Sequence, residues 1–172
     1  MTEHDAATAP ASADAREEDL LLERQLCFAL SVASRTIVGA YRPVLEDLGV
    51  THPQYLVLLA LWEQSPRTVR DLSDTLLMEP ATLSPMLKRL ETAGLLSRNR
   101  APGNDRALAV ELTAKGRALR ARALDVPGTM MQRLGLERAE VEELNRSMRR
   151  LIDAAQSGEQ GAPAGPGTAA GA

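Results

Sequence analysis

The sequence has a single cysteine among 172 residues, and only 2% of its residues are aromatic. One cysteine excludes an intramolecular disulfide, so any disulfide at Cys27 must join it to another molecule. The shortage of aromatic rings argues against a surface that binds single-stranded nucleic acid by stacking on its bases. The chain is therefore expected to fold around an aliphatic core without covalent crosslinks.

Long apolar runs are also absent from the sequence. The apolar stretches are short and interrupted, as between Tyr55 and Trp62, whereas a membrane-spanning helix needs about 20 apolar residues. No basic segment leads into an apolar stretch near the N-terminus, as it would in a secretory signal. We therefore expect a cytoplasmic protein without membrane contact, and the composition, 44% hydrophobic and 25% charged, predicts one globular domain.

Patterns typical of catalysis and metal binding are missing too. There is no glycine-rich loop to hold a phosphate, and His4 and His52 cannot build a metal cluster with one cysteine. The enzymatic alternative is a one-cysteine thiol peroxidase, but the residues just before Cys27 lack the proline and the Ser or Thr of such enzymes. The sequence predicts no metal, no cofactor and no enzymatic activity.

The charge of the chain is unevenly distributed. The net charge is −3, yet residues 1–24 contribute −5 and residues 67–122 hold eleven basic and six acidic side chains. A locally positive region indicates a phosphate-bearing partner, although a solvated surface gives the same pattern. The two ends of the chain lack large apolar residues, whose burial could offset the entropic cost of ordering the backbone. We therefore expect disordered tails at 1–15 and 156–172 around a folded domain at 16–155.

Helical spacing dominates the folded part. Apolar residues recur every three or four positions from Glu17 to about Gly39, which predicts a helix with one buried face. Pro43 predicts a turn or a new helix start, and Thr51, closely followed by a proline, predicts a capped helix that runs through Trp62. The face of the first helix consists of Leu22, Leu26, Ala29, Leu30, Ala33 and Ile37.

Two short helices come next and predict a helix-turn-helix. Thr68 is expected to cap the first helix, with Asp71 in its first turn. The second begins near Pro80 and ends at Gly94, a residue type that favours the position after a helix. The expected buried residues are Leu72, Leu76 and Leu77 on the first helix and Leu83, Met86, Leu87 and Leu90 on the second. The opposite face of the second helix presents the expected DNA contacts Thr82, Ser84, Pro85, Lys88 and Arg89.

A β-hairpin follows the helix-turn-helix. Residues 95–100 and 107–112 predict two strands, and the residues APGNDR at 101–106 predict the turn between them. Arg98, Arg100 and Arg106 on this wing would reach the DNA backbone and the minor groove while the second helix occupies the major groove.

Helices are predicted again beyond the wing. Thr113 is expected to cap a helix that runs through Leu124, and Pro127 kinks or restarts that helix. A final amphipathic helix contains Val141, Leu144, Met148, Leu151 and Ile152.

In this order the segments "RTVRDLSDTLLMEPATLSPMLKRLETAGLLSRNR" and "VELTAKGRAL" resemble the winged helix-turn-helix repressors of the MarR family. Three further segments are similar to the organic-hydroperoxide sensors of that family, called OhrR: "LCFAL", "YRPVLEDLGVTHPQYLVLLALWE" and "ALDVPGTMMQRLGL". The resemblance implies a mainly α fold with a small β-wing. Its DNA-binding lobe would span 51–112, and its dimerisation helices 16–40 and 113–155.

The resemblance implies a homodimer on double-stranded DNA with a pseudo-palindromic operator. In such sensors the cysteine matching Cys27 is oxidised by an organic hydroperoxide to a sulfenic acid. That acid reacts with a low-molecular-weight thiol or is oxidised further, and the repressor leaves DNA. Two alternatives stay open: release by reversible binding of a small phenolic or apolar ligand, and a Cys27 that is only a small buried hydrophobic residue.

Family tyrosines hydrogen-bond the reactive sulfur, and Tyr41 matches one of them. Along a continuous helix, fourteen residues separate Cys27 from Tyr41 by about 21 Å, so the partner chain must supply this contact. The chain departs from the family at Ser31 and His52, where the other tyrosines would fall. A protonated His52 close to the sulfur would support a thiolate electrostatically. In the wing, Asn104 stands where an aspartate is usual, and Asp105 is expected to take over its bracing role.

Overall fold

The computed structural model describes residues 17–101 and 104–161, with side chains at all of these except residues 100, 101, 104–108 and 159–161. The chain divides into two compact units after Ala123. The single domain predicted over 16–155 stays a prediction. The predicted N-terminal tail lies outside the described residues. The predicted C-terminal tail begins too early, because the last helix continues through residues 156–161.

The first helix, α1, spans Leu26–Glu46 and is preceded by a short 3₁₀ turn at Leu22–Arg24. The predicted helix over 17–39 was therefore placed too early, and the predicted break at Pro43 is wrong because this proline lies inside α1. A proline in a helix costs about 3 kcal/mol. Leu45 is fully buried two residues later, and burying a leucine contributes about 1.5–3 kcal/mol, which offsets much of that cost.

The apolar face of α1 is not buried within the chain, contrary to the prediction. Leu26 is 57% exposed, and Phe28, Val32 and Val38 are each more than a third exposed. Only the end of the helix contributes to the core of the first unit, through Leu45. The spacing correctly identified an amphipathic helix, but it could not show what covers the apolar face.

Helix α2 spans His52–Glu63 and lies at the centre of the first unit. Its start follows the prediction: Thr51 is the N-cap, and the backbone N–H of Thr51 donates to Oε1 of Gln54 at 2.9 Å. Such a reciprocal cap satisfies backbone donors that have no partner inside the helix. The buried residues of α2 are Tyr55, Val57, Leu58, Ala60 and Leu61.

Helices α3 (Val69–Leu76) and α4 (Pro80–Thr92) form the predicted helix-turn-helix. The backbone N–H of Asp71 donates to Oγ1 of Thr68 at 3.0 Å, and Gly94 follows α4 at φ +70°, so both predicted ends are confirmed. Leu77 is a correction: it ends α3 in the left-handed conformation and is 63% exposed. The fully or almost fully buried leucines of the pair are Leu72, Leu83, Leu87 and Leu90.

A small antiparallel sheet has the strand order β1 (Arg67–Thr68), β3 (Asn104–Leu112), β2 (Leu96–Ala101). Strands β2 and β3 form the wing, with Arg98 opposite Val110. The strands extend into the predicted turn at 101–106, so only residues 102 and 103, which lie outside the described residues, separate them. The winged helix-turn-helix fold predicted from the sequence is thereby confirmed.

Helix α5 (Ala114–Ala123) closes the first unit. The predicted cap is present, since the backbone N–H of Gly116 donates to Oγ1 of Thr113 at 3.1 Å. The second unit contains α6 (Val126–Leu134), which restarts at Pro127, and α7 (Arg138–Gly161), which is the predicted amphipathic helix. Among the described residues, no helix combines the length and the apolar composition that crossing a membrane requires.

Candidate DNA interface and sensor thiol

Helix α4 has two distinct faces. Leu83, Leu87 and Leu90 are buried against the rest of the first unit, while the opposite side is exposed. All five expected DNA contacts of this helix are exposed: Thr82, Ser84, Pro85, Lys88 and Arg89. Oγ of Ser84 donates to the carbonyl oxygen of Pro80 at 2.8 Å, so this hydroxyl retains its acceptor capacity towards a ligand.

Arg67, whose role sequence reasoning missed, holds the helix-turn-helix in place. Its guanidinium donates to Oδ2 of Asp71 at 2.6 Å, to Oγ1 of Thr75 at 2.7 Å and to the carbonyl oxygen of Ala60 at 3.3 Å. The Arg67 side chain is only 11% exposed. These bonds connect β1, α2 and α3. The pairing of Arg67 with Asp71 could have been predicted from the sequence, because the two residues are of opposite charge and four positions apart.

The structure changes the interpretation of Arg98. Its Nη2 and Nε donate to Oε2 of Glu91 at 2.6 and 2.9 Å, and its backbone N–H donates to Oε1 of the same residue at 3.2 Å. The hydrogen bonds from Arg98 lower the pKa of Glu91. The Arg98 guanidinium is thus already paired with a carboxylate on α4, and its expected contact with the DNA backbone stays a prediction. The other predicted wing side chains, Arg100, Asn104, Asp105 and Arg106, lie outside the described side chains.

The C-terminal end of α4 is fixed by α5. Oγ1 of Thr113 donates to the carbonyl oxygen of Gly94 at 2.7 Å, and Nζ of Lys115 donates to that of Ala93 at 2.8 Å. A Cβ added at Gly116 would overlap the carbonyl oxygen of Leu95, so α5 approaches this turn too closely for any side chain. The position of α4 is therefore linked to that of α5.

Cys27 is exposed and lies in the first turn of α1. Backbone N–H groups at the start of a helix favour nearby negative charge. Ser31 is exposed one turn further along. Tyr41 lies on the same unbroken helix as Cys27, so the separation of about 21 Å calculated from the helical rise applies within one chain. The structure contradicts a Cys27 buried inside its own chain.

Tyr41 belongs to an aromatic cluster that joins α1 to α2. Its ring centroid lies 5.1 Å from that of His52 and 6.3 Å from that of Tyr55, and Tyr55 lies 6.2 Å from Trp62. Nε1 of Trp62 donates to the carbonyl oxygen of Gly116 on α5 at 3.0 Å. The contacts of Tyr55 and Trp62 were not foreseen, although their seven-residue spacing places both on one face of α2.

Burial changes the protonation of this cluster. It raises the pKa of Tyr41 and lowers the pKa of His52. Burial, followed by the proximity of Tyr41, raises the pKa of Tyr55. The shift at His52 favours the neutral imidazole. This counts against the prediction that a protonated His52 supports a thiolate.

A cleft of about 650 Å³ lies between α1 and the start of α2. Val38 and Gly39 contribute to its wall on α1, with Arg35 and Arg42 on the same helix, and His52 lines it from α2. The cleft combines apolar wall with two basic side chains and one acidic side chain, Glu46, so its lining keeps a net positive charge. An arrangement of this kind suits a small ligand that carries both an apolar body and an acidic group.

Over 129 residues the chain is 41% identical to the organic hydroperoxide resistance transcriptional regulator of Bacillus subtilis (strain 168). The match covers 75% of this chain and 86% of that protein. Residues 50–108 also match the model of the MarR family. The chain is a transcriptional regulator of the MarR family. This assignment favours a regulator over the peroxidase considered from the sequence.

Solved structures of MarR-type regulators share the fold. Reduced AbfR of Staphylococcus epidermidis, bound to DNA, matches with a TM-score of 0.69 and 30% identity over 83% of this chain and 99% of that one. The repressor CouR from Rhodococcus jostii RHA1, bound to a 23-mer DNA duplex, matches with a TM-score of 0.71 and 28% identity over 78% and 96% of the two chains. MarR-family regulators bind DNA as dimers.

Proposed function

We propose that this MarR regulator is a homodimeric repressor that leaves its operator when an organic hydroperoxide oxidises Cys27. The observation that carries the proposal is the exposed thiol in the first turn of α1. The relative at 41% identity is a regulator of organic hydroperoxide resistance. Structures of AbfR in reduced, disulfide and overoxidised forms add a relative of the same fold that undergoes oxidation.

The oxidation proceeds by nucleophilic attack. The Cys27 thiolate attacks one peroxide oxygen, the O–O bond breaks, and the leaving alkoxide takes up a proton to become an alcohol. The sulfur is oxidised to a sulfenic acid while the hydroperoxide is reduced. A low-molecular-weight thiol then forms an S–S bond with this sulfur, and water leaves. Each of these products is larger and more polar than the original thiol.

The apolar face of α1 supports the dimeric part of the proposal. Leu26 and Phe28 flank Cys27, and both are exposed in the single chain, as is Val32 one turn later. Contiguous exposed apolar side chains mark surfaces that other proteins cover. Pairing of two α1 helices in opposite directions would bring Tyr41 of one protomer towards Cys27 of the other. A group added to the sulfur would then lie inside a packed interface.

Release from DNA follows as a shift between two arrangements of the dimer. The reduced dimer would hold two α4 helices at the spacing of adjacent major grooves. The enlarged residue at position 27 would favour an arrangement with different spacing, in which the second half-site is lost. Since each tenfold loss of affinity corresponds to about 1.4 kcal/mol, a modest preference suffices.

The test compares the parent protein with Cys27→Ser in an electrophoretic mobility shift titration. The DNA is a duplex that the reduced parent selects from a random-sequence pool. We expect both proteins to bind it, and only the parent to dissociate when cumene hydroperoxide is added. Reversal by a dithiol would indicate a disulfide or sulfenic acid at position 27. Dissociation of the serine variant at the same peroxide concentration would refute the proposal.

The cleft between α1 and α2 favours a second candidate function, release by a small ligand. Arg35 and Arg42 outnumber the one acidic side chain of the lining, Glu46, and lie beside apolar side chains, which suits an aromatic acid. Adding salicylate to the Cys27→Ser protein on the same duplex tests this candidate separately, because no thiol is present. Dissociation by salicylate without peroxide would favour ligand control, and unchanged binding would count against it.

A further inference from the structure

We propose that Glu91 is a positioning residue for operator binding, which fixes the wing to α4 by clamping Arg98. The inference rests on the proposed DNA-binding mode, in which α4 and the wing contact one duplex together. It assigns roles that differ from those expected of charged residues near DNA. Arg98 acts within the protein, and the acidic Glu91 favours a complex with a polyanion.

The contacts of Glu91 use both carboxylate oxygens. Oε2 accepts from Nη2 and Nε of Arg98 at 2.6 and 2.9 Å, and Oε1 accepts from the backbone N–H of the same residue at 3.2 Å. Charge-assisted bonds of this kind are about twice as strong as neutral ones and fix geometry. The side chains of Arg98 and Glu91 are 26% and 36% exposed, so the strength of the pair rests on its three bonds and not on burial.

The bond to the backbone N–H distinguishes this clamp from an ordinary surface ion pair. Strand β2 is the edge of the sheet, because the strand order is β1, β3, β2. The N–H of Arg98 is bonded to Glu91, so the carboxylate occupies a position on the strand backbone that a further strand would otherwise fill. Glu91 therefore holds the strand itself and not only a flexible side chain.

The clamp joins the two elements that must contact DNA at the same time. Glu91 lies near the C-terminal end of α4, and Arg98 lies in β2, one of the two strands of the wing. Without the clamp, β2 would keep its bonds to β3 but lose these three bonds to α4. Binding would then have to restore the angle between helix and wing, and this ordering reduces affinity.

Simple electrostatics and the positioning role predict opposite results for Glu91→Gln. Removing a negative charge close to DNA strengthens binding if the charge acts only through long-range repulsion. Loss of the clamp weakens binding. The matched control is Glu111→Gln, because Glu111 is an exposed carboxylate on β3 opposite Ser97, one residue from the Arg98 pair.

The experiment measures binding by fluorescence anisotropy over a range of salt concentrations, using the full-length dimer and the duplex selected by the parent. We expect Glu91→Gln to bind about tenfold more weakly and Glu111→Gln to bind as the parent does or slightly better. Arg98→Ala is expected to bind more weakly with an unchanged dependence on salt, because the proposal gives Arg98 a role within the protein and no phosphate contact.

A second readout concerns the clamp directly. The backbone amide of Arg98 should exchange its proton faster in Glu91→Gln than in the parent, while the amide of Leu112 should be unchanged as an internal reference. Two results would overturn the proposal: binding of Glu91→Gln as tight as the parent, or a smaller salt dependence in Arg98→Ala. If the parent selects no duplex at all, the proposed function itself fails.

Discussion

At the scale of single residues, His52 is the residue whose expected role the structure tests most directly. It occupies the start of α2, and its ring centroid lies 5.1 Å from that of Tyr41. Burial lowers the pKa of His52 and raises that of Tyr41, so both groups favour their neutral forms at neutral pH. The structure therefore favours a hydrogen-bonding or packing role for this pair over a charged one.

The lowered pKa of His52 makes the stability of the protein depend on pH. Between the folded pKa and the ordinary value of 6.5, the unfolded chain binds more protons than the folded one. The stabilising contribution is thus complete above pH 6.5 and is lost as the pH falls towards the folded pKa. We expect the difference in unfolding free energy between the parent and His52→Gln to shrink from pH 8 to pH 5 in urea titrations.

Direct titration of the imidazole by NMR completes this test. The His52 resonance, assigned by its absence from the His52→Gln spectrum, should have its midpoint below 6.5. A midpoint above that value would mean that the folded protein stabilises the imidazolium. Support of the thiolate by a protonated His52 would then have to be reconsidered.

Residue roles were predictable from the sequence where they depend on near neighbours. The bond between Asp71 and Thr68 joins residues only three positions apart. Gly94 could be placed after α4 because its φ of +70° is a conformation that glycine adopts more readily than other residues. The pairing of Arg98 with Glu91 spans a turn between a helix and a strand, which no periodic spacing encodes. Leu77 was misplaced because its apolar side chain matched the helical pattern while its backbone ends the helix.

At the scale of elements, α5 connects the aromatic cluster to the C-terminal end of α4. Gly116 accepts from Trp62 at its carbonyl oxygen, and its Cα lies against the backbone of Leu95. Lys115 donates to the carbonyl oxygen of Ala93, while Arg122, near the other end of α5, donates to that of Asp47, just after α1. Basic side chains favour such positions because helix C-termini carry partial negative charge.

Gly116→Ala tests how tightly α5 is packed. A Cβ at this position would overlap the carbonyl oxygen of Leu95, and overpacking of this kind typically costs about 1–3 kcal/mol. The higher helix propensity of alanine would offset at most about 1 kcal/mol of this loss in the free energy of unfolding. We expect a lower midpoint of unfolding in guanidinium chloride. The control Gly128→Ala, where a Cβ meets nothing within 4 Å, should unfold at the parent midpoint or above it.

The sequence predicted elements better than it predicted their surroundings. The helix-turn-helix and the wing followed from caps, turn residues and apolar spacing, all of which are local. The length of α1 did not, because burial of Leu45 outweighs the local signal of Pro43. The exposure of Leu26 and Phe28 also could not be foreseen, since an apolar face has the same spacing whether its own chain or a second chain covers it.

At the scale of the whole molecule, a chain with a net charge of −3 binds a polyanion only if its positive charge is concentrated. Among the described side chains of the basic region found in the sequence, several are engaged within the protein. Arg67 and Arg98 are paired inside the first unit, and Lys115 and Arg122 donate to carbonyl oxygens. Among the described side chains, Lys88 and Arg89 are exposed on α4, the helix expected to enter the major groove.

Lys88→Ala tests whether this exposed charge contacts the DNA backbone. Each phosphate contact contributes about 0.9 to the slope of log affinity against log salt, so loss of one contact in each protomer should reduce that slope by about 2. Arg149→Ala is the control, because Arg149 is an exposed base on α7, outside the helix-turn-helix. A reduced slope for both variants would indicate a general effect of net charge. An unchanged slope for Lys88→Ala would place the phosphate contacts elsewhere on the protein.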